Sequence, residues 1–222
     1  MYILAVIAEK GGVGKTTAVT NLAVAFTQKG FATGVIDLDK QVSATNWADR
    51  RKNALPLVVP AFESRLDHEI EQMRKDGCEV LILDTAPHAD SIALSAAKKA
   101  DCSLVVTQPS INEIETIEKT LALVKAVNKK IIILLNEVMP PKIQGNEVQH
   151  TKETLEAFEY LNSQNDVLVC PTPWARRVVF KRAPIQGLGV LECAEKDDRA
   201  LIEIELVHKF ICDHMNIRKK GV

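Results

Sequence analysis

Very little in this sequence is biased, and each missing bias removes a class of protein. Net charge is nearly absent: 28 Lys and Arg stand against 29 Asp and Glu, a formal charge of −1 at pH 7. Bulk attraction to a polyanion is therefore excluded, and any nucleic-acid contact has to come from a local cationic patch. Long apolar runs are missing too, so there is no candidate transmembrane span. The first residues enter a strand pattern directly, without the layout of a signal peptide. The five cysteines (Cys78, Cys102, Cys170, Cys193, Cys212) are odd in number and never form a CxxC. That spacing predicts reduced, mostly buried thiols of a cytoplasmic protein, not a disulfide framework. The five histidines show no metal-ligand spacing. No repeat, low-complexity linker or break in composition divides the chain, which predicts one domain over residues 1–222.

What is present is alternation. Short apolar runs alternate with amphipathic stretches along nearly the whole length, which predicts an α/β fold: a mostly parallel twisted sheet of about seven strands with helices on both faces. The expected strands are 2–8, 33–37, 57–59, 80–84, 103–107, 131–136 and 167–170. The expected helices are 15–29, 43–52, 65–75, 91–99, 111–127, 148–162, 178–183 and 197–216. For the fifth helix Ser110 and Glu113 have the spacing of a capping box, and Ile114, Ile117, Leu121 and Val124 repeat at helical period.

The chemistry-bearing stretch lies between the first strand and the first helix: Glu9-Lys10-Gly11-Gly12-Val13-Gly14-Lys15-Thr16-Thr17. Glycines let a strand-to-helix turn curl until successive N–H groups converge, and the helix N-terminus adds partial positive charge. Such a cradle suits nucleotide phosphates, held by residues 11–17, with Lys15 reaching the β- and γ-phosphates and the Thr16 hydroxyl a Mg²⁺ ligand. A strict phosphate loop would carry glycine where Glu9 stands. This loop, with its second lysine at Lys10, resembles the deviant phosphate loop of the ParA/MinD family of ATPases; the chain as a whole, which starts at the first strand without the helix-turn-helix extension of some plasmid ParA proteins, looks like a small, ParF-like ParA partition protein. The resemblance implies that Lys10 crosses a dimer interface to the partner's nucleotide.

Three further stretches carry the resemblance. Val35-Ile36-Asp37-Leu38-Asp39 ends a strand in two carboxylates. It resembles the family's Asp-x-Asp motif, implying that Asp37 supports the Mg²⁺ shell and Asp39 orients the attacking water; Lys40 stands where ParA proteins usually have proline. Val80-Leu81-Ile82-Leu83-Asp84 has the form of a Walker-B strand, with Asp84 on the metal side. His88 and Asp90 read as solvated loop residues. Asn136 ends the sixth expected strand, either contacting adenine, as in the MinD-like branch, or serving as a turn residue. The stretch from Pro171 to Val190 is similar to the ParA block of proline loop, Arg-bearing helix and glycine turn, which places Pro171 at the nucleotide. Arg176, Arg177, Lys181 and Arg182 fall within seven residues. Residues 177 and 181 share a helical face and are the expected DNA-binding pair, with Arg218-Lys219-Lys220 a second candidate.

The function implied is an ATPase, dependent on ATP and Mg²⁺, that closes a homodimer and then binds nonspecific DNA. A ParB-like or adaptor protein would switch it off by stimulating hydrolysis, and the ATP form would be nucleoid-associated. Two alternatives share the loop. A MinD-like membrane-positioning ATPase would need a basic amphipathic C-terminal helix, whereas residues 197–216 carry Glu203, Glu205 and Asp213, and the five residues after Ile217 are too short an anchor. A ligase of the dethiobiotin or cobyrinate synthase type would need a dedicated substrate pocket, for which no motif is present. An electron-transfer iron protein is disfavoured by the cysteine positions.

Overall fold

The structure is a computed structural model. It describes residues 1–219 except 88, 89, 128, 129, 145, 146, 195 and 196, and the side chains of 111–115, 143, 144 and 147 lie outside the description. His88, Lys220 and the side chains of Glu113 and Ile114, all named above, therefore fall outside the described residues.

Apolar runs without polar alternation become strands buried on both faces. In β1 (Tyr2–Ile7) every residue after Tyr2 is buried. The chain continues through α1 (Lys15–Gln28), β2 (Thr33–Asp37), α2 (Ser43–Ala48), β3 (Leu57–Pro60), α3 (Leu66–Lys75) and β4 (Val80–Asp84). Then follow α4 (Asp90–Lys99), β5 (Cys102–Thr107), α5 (Ile111–Lys125), β6 (Lys130–Leu135) and a hairpin of β7 (Lys142–Gln144) with β8 (Glu147–Gln149). Last come α6 (Lys152–Asn162), β9 (Leu168–Val169), α7 (Val178–Arg182) and α8 (Asp198–Met215). The main sheet has seven strands in the order β3-β2-β4-β1-β5-β6-β9, and all its pairings are parallel.

Two apolar layers sandwich this sheet. Leu4 and Val6 of β1 join α1 and α8 on one face, while Ile3, Ala5 and Ile7 join α3, α4, α5 and α6 on the other. Each fully buried Val, Leu or Ile of this kind contributes about 1.5–3 kcal/mol, which fixes the register and hence the positions of the strand ends. The C-terminal ends of β1, β2, β4 and β6 form one edge, the edge where open parallel sheets bind ligands.

The structure corrects three sequence expectations. Residues 148–162 are not one helix: Val148 belongs to the hairpin, and α6 begins only after Thr151, whose side chain caps it by accepting from the Thr154 N–H. The second helix stops at Ala48 instead of continuing to 52. Ser110 occupies the N-cap of α5, but its side chain makes no capping hydrogen bond.

Candidate functional site

The glycine loop leaves β1 and turns into α1 through Gly12 and Gly14, with φ of 83° and 92°. Only glycine holds such values without strain. The Gly14 carbonyl accepts the first α1 bond, from the Ala18 N–H at 2.9 Å. A side chain at Gly14 would collide with Asn136, since a β-carbon there would lie 1.9 Å from Nδ2.

Two carboxylates converge on this loop. Lys15 and Asp84 are both buried, and Lys15 Nζ lies 2.5 Å from Asp84 Oδ1 and 3.9 Å from Asp39 Oδ2. Thr16 Oγ1 donates to the other Asp84 oxygen at 3.0 Å. Burial pushes the Asp84 carboxyl above the usual carboxylate range, against the opposing pull of Lys15. Asp37 sits beside Asp84 in the sheet register, and its two oxygens are occupied by its own loop. Oδ1 accepts the Asp39 N–H at 3.2 Å, and Oδ2 accepts both the N–H and the hydroxyl of Thr45 at 2.9 and 3.0 Å. Asp37 thereby shapes the turn that carries Asp39. That turn lies beyond the end of β2, and Asp39 Oδ1 accepts from the Gln41 N–H within it.

The donor set suits a hard divalent cation. Thr16 and Asp84 offer adjacent oxygens, and no group of three or more His, Cys, Asp or Glu among the described residues could cage a metal alone. An ion held by one or two protein oxygens and completed by phosphates and water is how Mg²⁺ is usually bound.

At the head of the loop Glu9 accepts from Thr120 at 3.2 Å and approaches Lys119, which also pairs with Asp90 at 3.0 Å. Lys10 beside it is half-buried. At the other end, a narrow cleft of about 30 Å³ opens beside Asn136, lined by Thr17, Glu137, Arg176 and Lys181 among others. Pro171 is exposed and outside that lining.

The four-cation cluster does not survive as one unit. Arg176, Lys181 and Arg182 are exposed, with Arg176 3.5 Å from Glu137. The Arg177 side chain is 9% exposed and clamped by Glu203 of α8 at 2.5 Å, with Asp197 at 3.8 Å. Glu203 also accepts the Ala175 N–H at 3.1 Å, and its carbonyl accepts the Trp174 indole at 3.2 Å. Arg177 is thus a structural tie between loop and helix, not a free phosphate contact. Sequence reasoning missed Glu203 because it lies 26 residues downstream, with no local signal linking the two. It also missed Arg51, which forms a bidentate pair with Glu192 at 2.8 Å and bonds the Gly187 carbonyl, fastening the segment after α2 to the turn after α7.

All five cysteines are free. Burial pushes the Cys78, Cys170 and Cys212 thiols up to about 11, which keeps them protonated and unreactive.

A phosphate cradle after the central strand, with carboxylates from two neighbouring strand ends around its lysine, defines a P-loop nucleotide-binding protein. The CobQ/CobB/MinD/ParA nucleotide binding domain matches residues 4–179, and the chain belongs to that family. It is 25% identical to the maintenance of carboxysome distribution protein A of Halothiobacillus neapolitanus, over 93% of this chain and 94% of that one. The protein of the same name from Gloeobacter kilaueensis is 30% identical, over 89% and 87%. In structure the chain is similar to the septum site-determining protein MinD of Pyrococcus horikoshii complexed with Mg-ADP. There the TM-score is 0.73, with 17% identity and 99% of each chain covered. The protein is a ParA/MinD-type ATPase, with ATP and Mg²⁺ its cofactors.

Proposed function

We propose that this ATPase positions a cargo on DNA. ATP closes a homodimer, the dimer holds duplex DNA without sequence preference, and a ParB-like or adaptor protein triggers hydrolysis and release. The observation that carries this reading is the placement of Arg176 and Lys181, exposed cations that also line the cleft beside the phosphate loop. A nucleotide that draws two protomers together there can bring two such patches onto one face, with Arg182 adding to each. Likeness to two carboxysome distribution proteins supports cargo positioning as the broader task, with plasmid or chromosome partition the narrower form.

In this reading Lys15 grips the β- and γ-phosphates, and residues 11–14, 16 and 17 surround them. Thr16 and Asp84 hold Mg²⁺, whose chemistry is to neutralise developing charge on the phosphoryl oxygens. Asp37 supports that shell through the loop it shapes, and Asp39 orients water towards the γ-phosphate. Lys10 reaches the nucleotide of the opposite protomer. The base enters the cleft beside Asn136, whose lining does not include Pro171. The ATP-bound protein is nucleoid-associated. The test is a mobility shift on nonspecific duplex DNA with ATP, with ADP and without nucleotide. Retardation with ATP alone is expected, and equal retardation in all three lanes would refute nucleotide-gated DNA binding.

A further inference from the structure

Asn136 makes a contact whose consequence concerns the phosphates. Its amide nitrogen donates to the Val13 carbonyl at 2.7 Å in a buried setting. A carbonyl can only accept, so the nitrogen of the amide is the atom that must face the loop. The side chain is aimed there by a rigid frame. The Asn136 N–H bonds the Thr107 carbonyl at 2.8 Å, Glu137 turns back through a left-handed conformation at φ 53°, and Val138 bridges to Ala175. Gly14, the residue after the accepting carbonyl, lacks a β-carbon at the one place where Asn136 Nδ2 would meet it, at 1.9 Å. The loop and the end of β6 therefore fit together through this single amide.

We infer that Asn136 is a positioning residue for the phosphate loop: by holding the Val13 carbonyl it orients the following N–H groups towards the phosphates. The peptide unit explains how. Carbonyl and N–H of the Val13–Gly14 peptide point in opposite directions across one plane, so tying the carbonyl back sends the Gly14 N–H the other way. With its nitrogen committed to the loop, Asn136 acts on the phosphates of any nucleotide through the Val13 carbonyl, separately from anything its amide oxygen accepts. This rests on the nucleotide site alone and not on DNA or a partner protein.

The test compares Asn136→Ala and Asn136→Asp with the unmodified protein by calorimetry, using ADP, GDP and inorganic tripolyphosphate, each with Mg²⁺. Asn136→Asp keeps the shape but puts a carboxylate oxygen against the Val13 carbonyl, so it should be the more damaging change. Loss of one buried hydrogen bond predicts affinity about three- to tenfold weaker for all three ligands in Asn136→Ala, tripolyphosphate included. Tripolyphosphate has no base, so only loop geometry can move its affinity, and a merely structural loss would lower the unfolding midpoint without changing it. An altered ADP-to-GDP ratio with unchanged tripolyphosphate affinity would overturn the inference and make Asn136 a base contact. Unchanged affinity for all three in both variants would overturn it as well.

Discussion

Lys15 Nζ lies 2.5 Å from Asp84 Oδ1, with both side chains shut away from solvent. The lysine proposed to grip phosphate and the carboxylate proposed to hold the metal are thus each other's partners. On the proposed reading, phosphate would compete with Asp84 for Lys15, and a cation would compete with Lys15 for Asp84. Nucleotide and Mg²⁺ would then be coupled through one ion pair.

Lys15→Ala should therefore fail in two separable ways. Loss of a charge-assisted contact should weaken ADP binding by about tenfold or more. Asp84 is also left as a buried carboxylate without its cation, costing about 3–5 kcal/mol at pH 7. A carboxyl whose folded-state pKa is raised takes up its proton more readily when folded. The variant should therefore regain stability as pH falls from the raised value towards the unfolded value near about 3.9. Urea melts of Lys15→Ala and of the unmodified protein at pH 7 and 5.5 check the sign, since the difference between the two proteins cancels groups they share. A deficit against the unmodified protein that is equal at both pH values would show that the cost lies elsewhere.

The parts of this site that sequence made legible are those encoded locally. The apolar run from Ile3 to Ile7 reads as a buried strand, the glycines after it as a turn, and Asp37 and Asp84 as strand ends because apolar runs stop there. What escaped was pairing across distance. Four cations within seven residues looked like one patch, yet Glu203 removes Arg177 from it. The hairpin of β7 and β8 was hidden because residues 142–149 are too short and mixed to show a period, and Thr151 was overlooked as the cap.

His208 gives a second pH dependence with the opposite sign. It packs edge-on against Phe26 at 4.5 Å between centroids, and burial, aided by Lys29 against the pull of Glu205, lowers its pKa to about 4. The unfolded chain binds this proton from about pH 6.5 downwards, the folded one only near 4. Stability should therefore fall as pH drops through that window, by about 2–3 kcal/mol. His208→Phe should lose less stability than the unmodified protein between pH 7 and 5, measured by denaturant midpoints. Equal losses in the two proteins would acquit this histidine.

Asp39 can be removed with little structural damage, since its contacts are the 3.9 Å approach to Lys15 and one turn bond. If it orients water, Asp39→Ala should lower kcat by about a hundredfold or more while nucleotide affinity stays near normal. Sedimentation with ATP should then show a lasting dimer. Turnover at the unmodified rate would take Asp39 out of the mechanism.

The cation cluster yields the prediction that separates fold from function. Arg177→Ala deprives Glu203 of its guanidinium and loosens α8 from the Trp174–Ala175 loop, so stability should drop by about 2–4 kcal/mol. Lost DNA binding in that variant would be a by-product of the weakened fold. Arg176 and Lys181, which are exposed, can be changed to Glu together without breaking a buried pair. That double variant should keep its unfolding midpoint and its ATP-dependent dimer yet lose DNA. Two protomers each presenting Arg176, Lys181 and Arg182 would neutralise about six phosphates, for a slope of log affinity against log salt of about −4 to −6. One protomer alone would give about half that slope and too little affinity to matter at physiological salt, which is why binding should require ATP. If the double variant binds DNA with the original slope, the contact surface lies elsewhere, and Arg218 and Lys219 become the cations to change next.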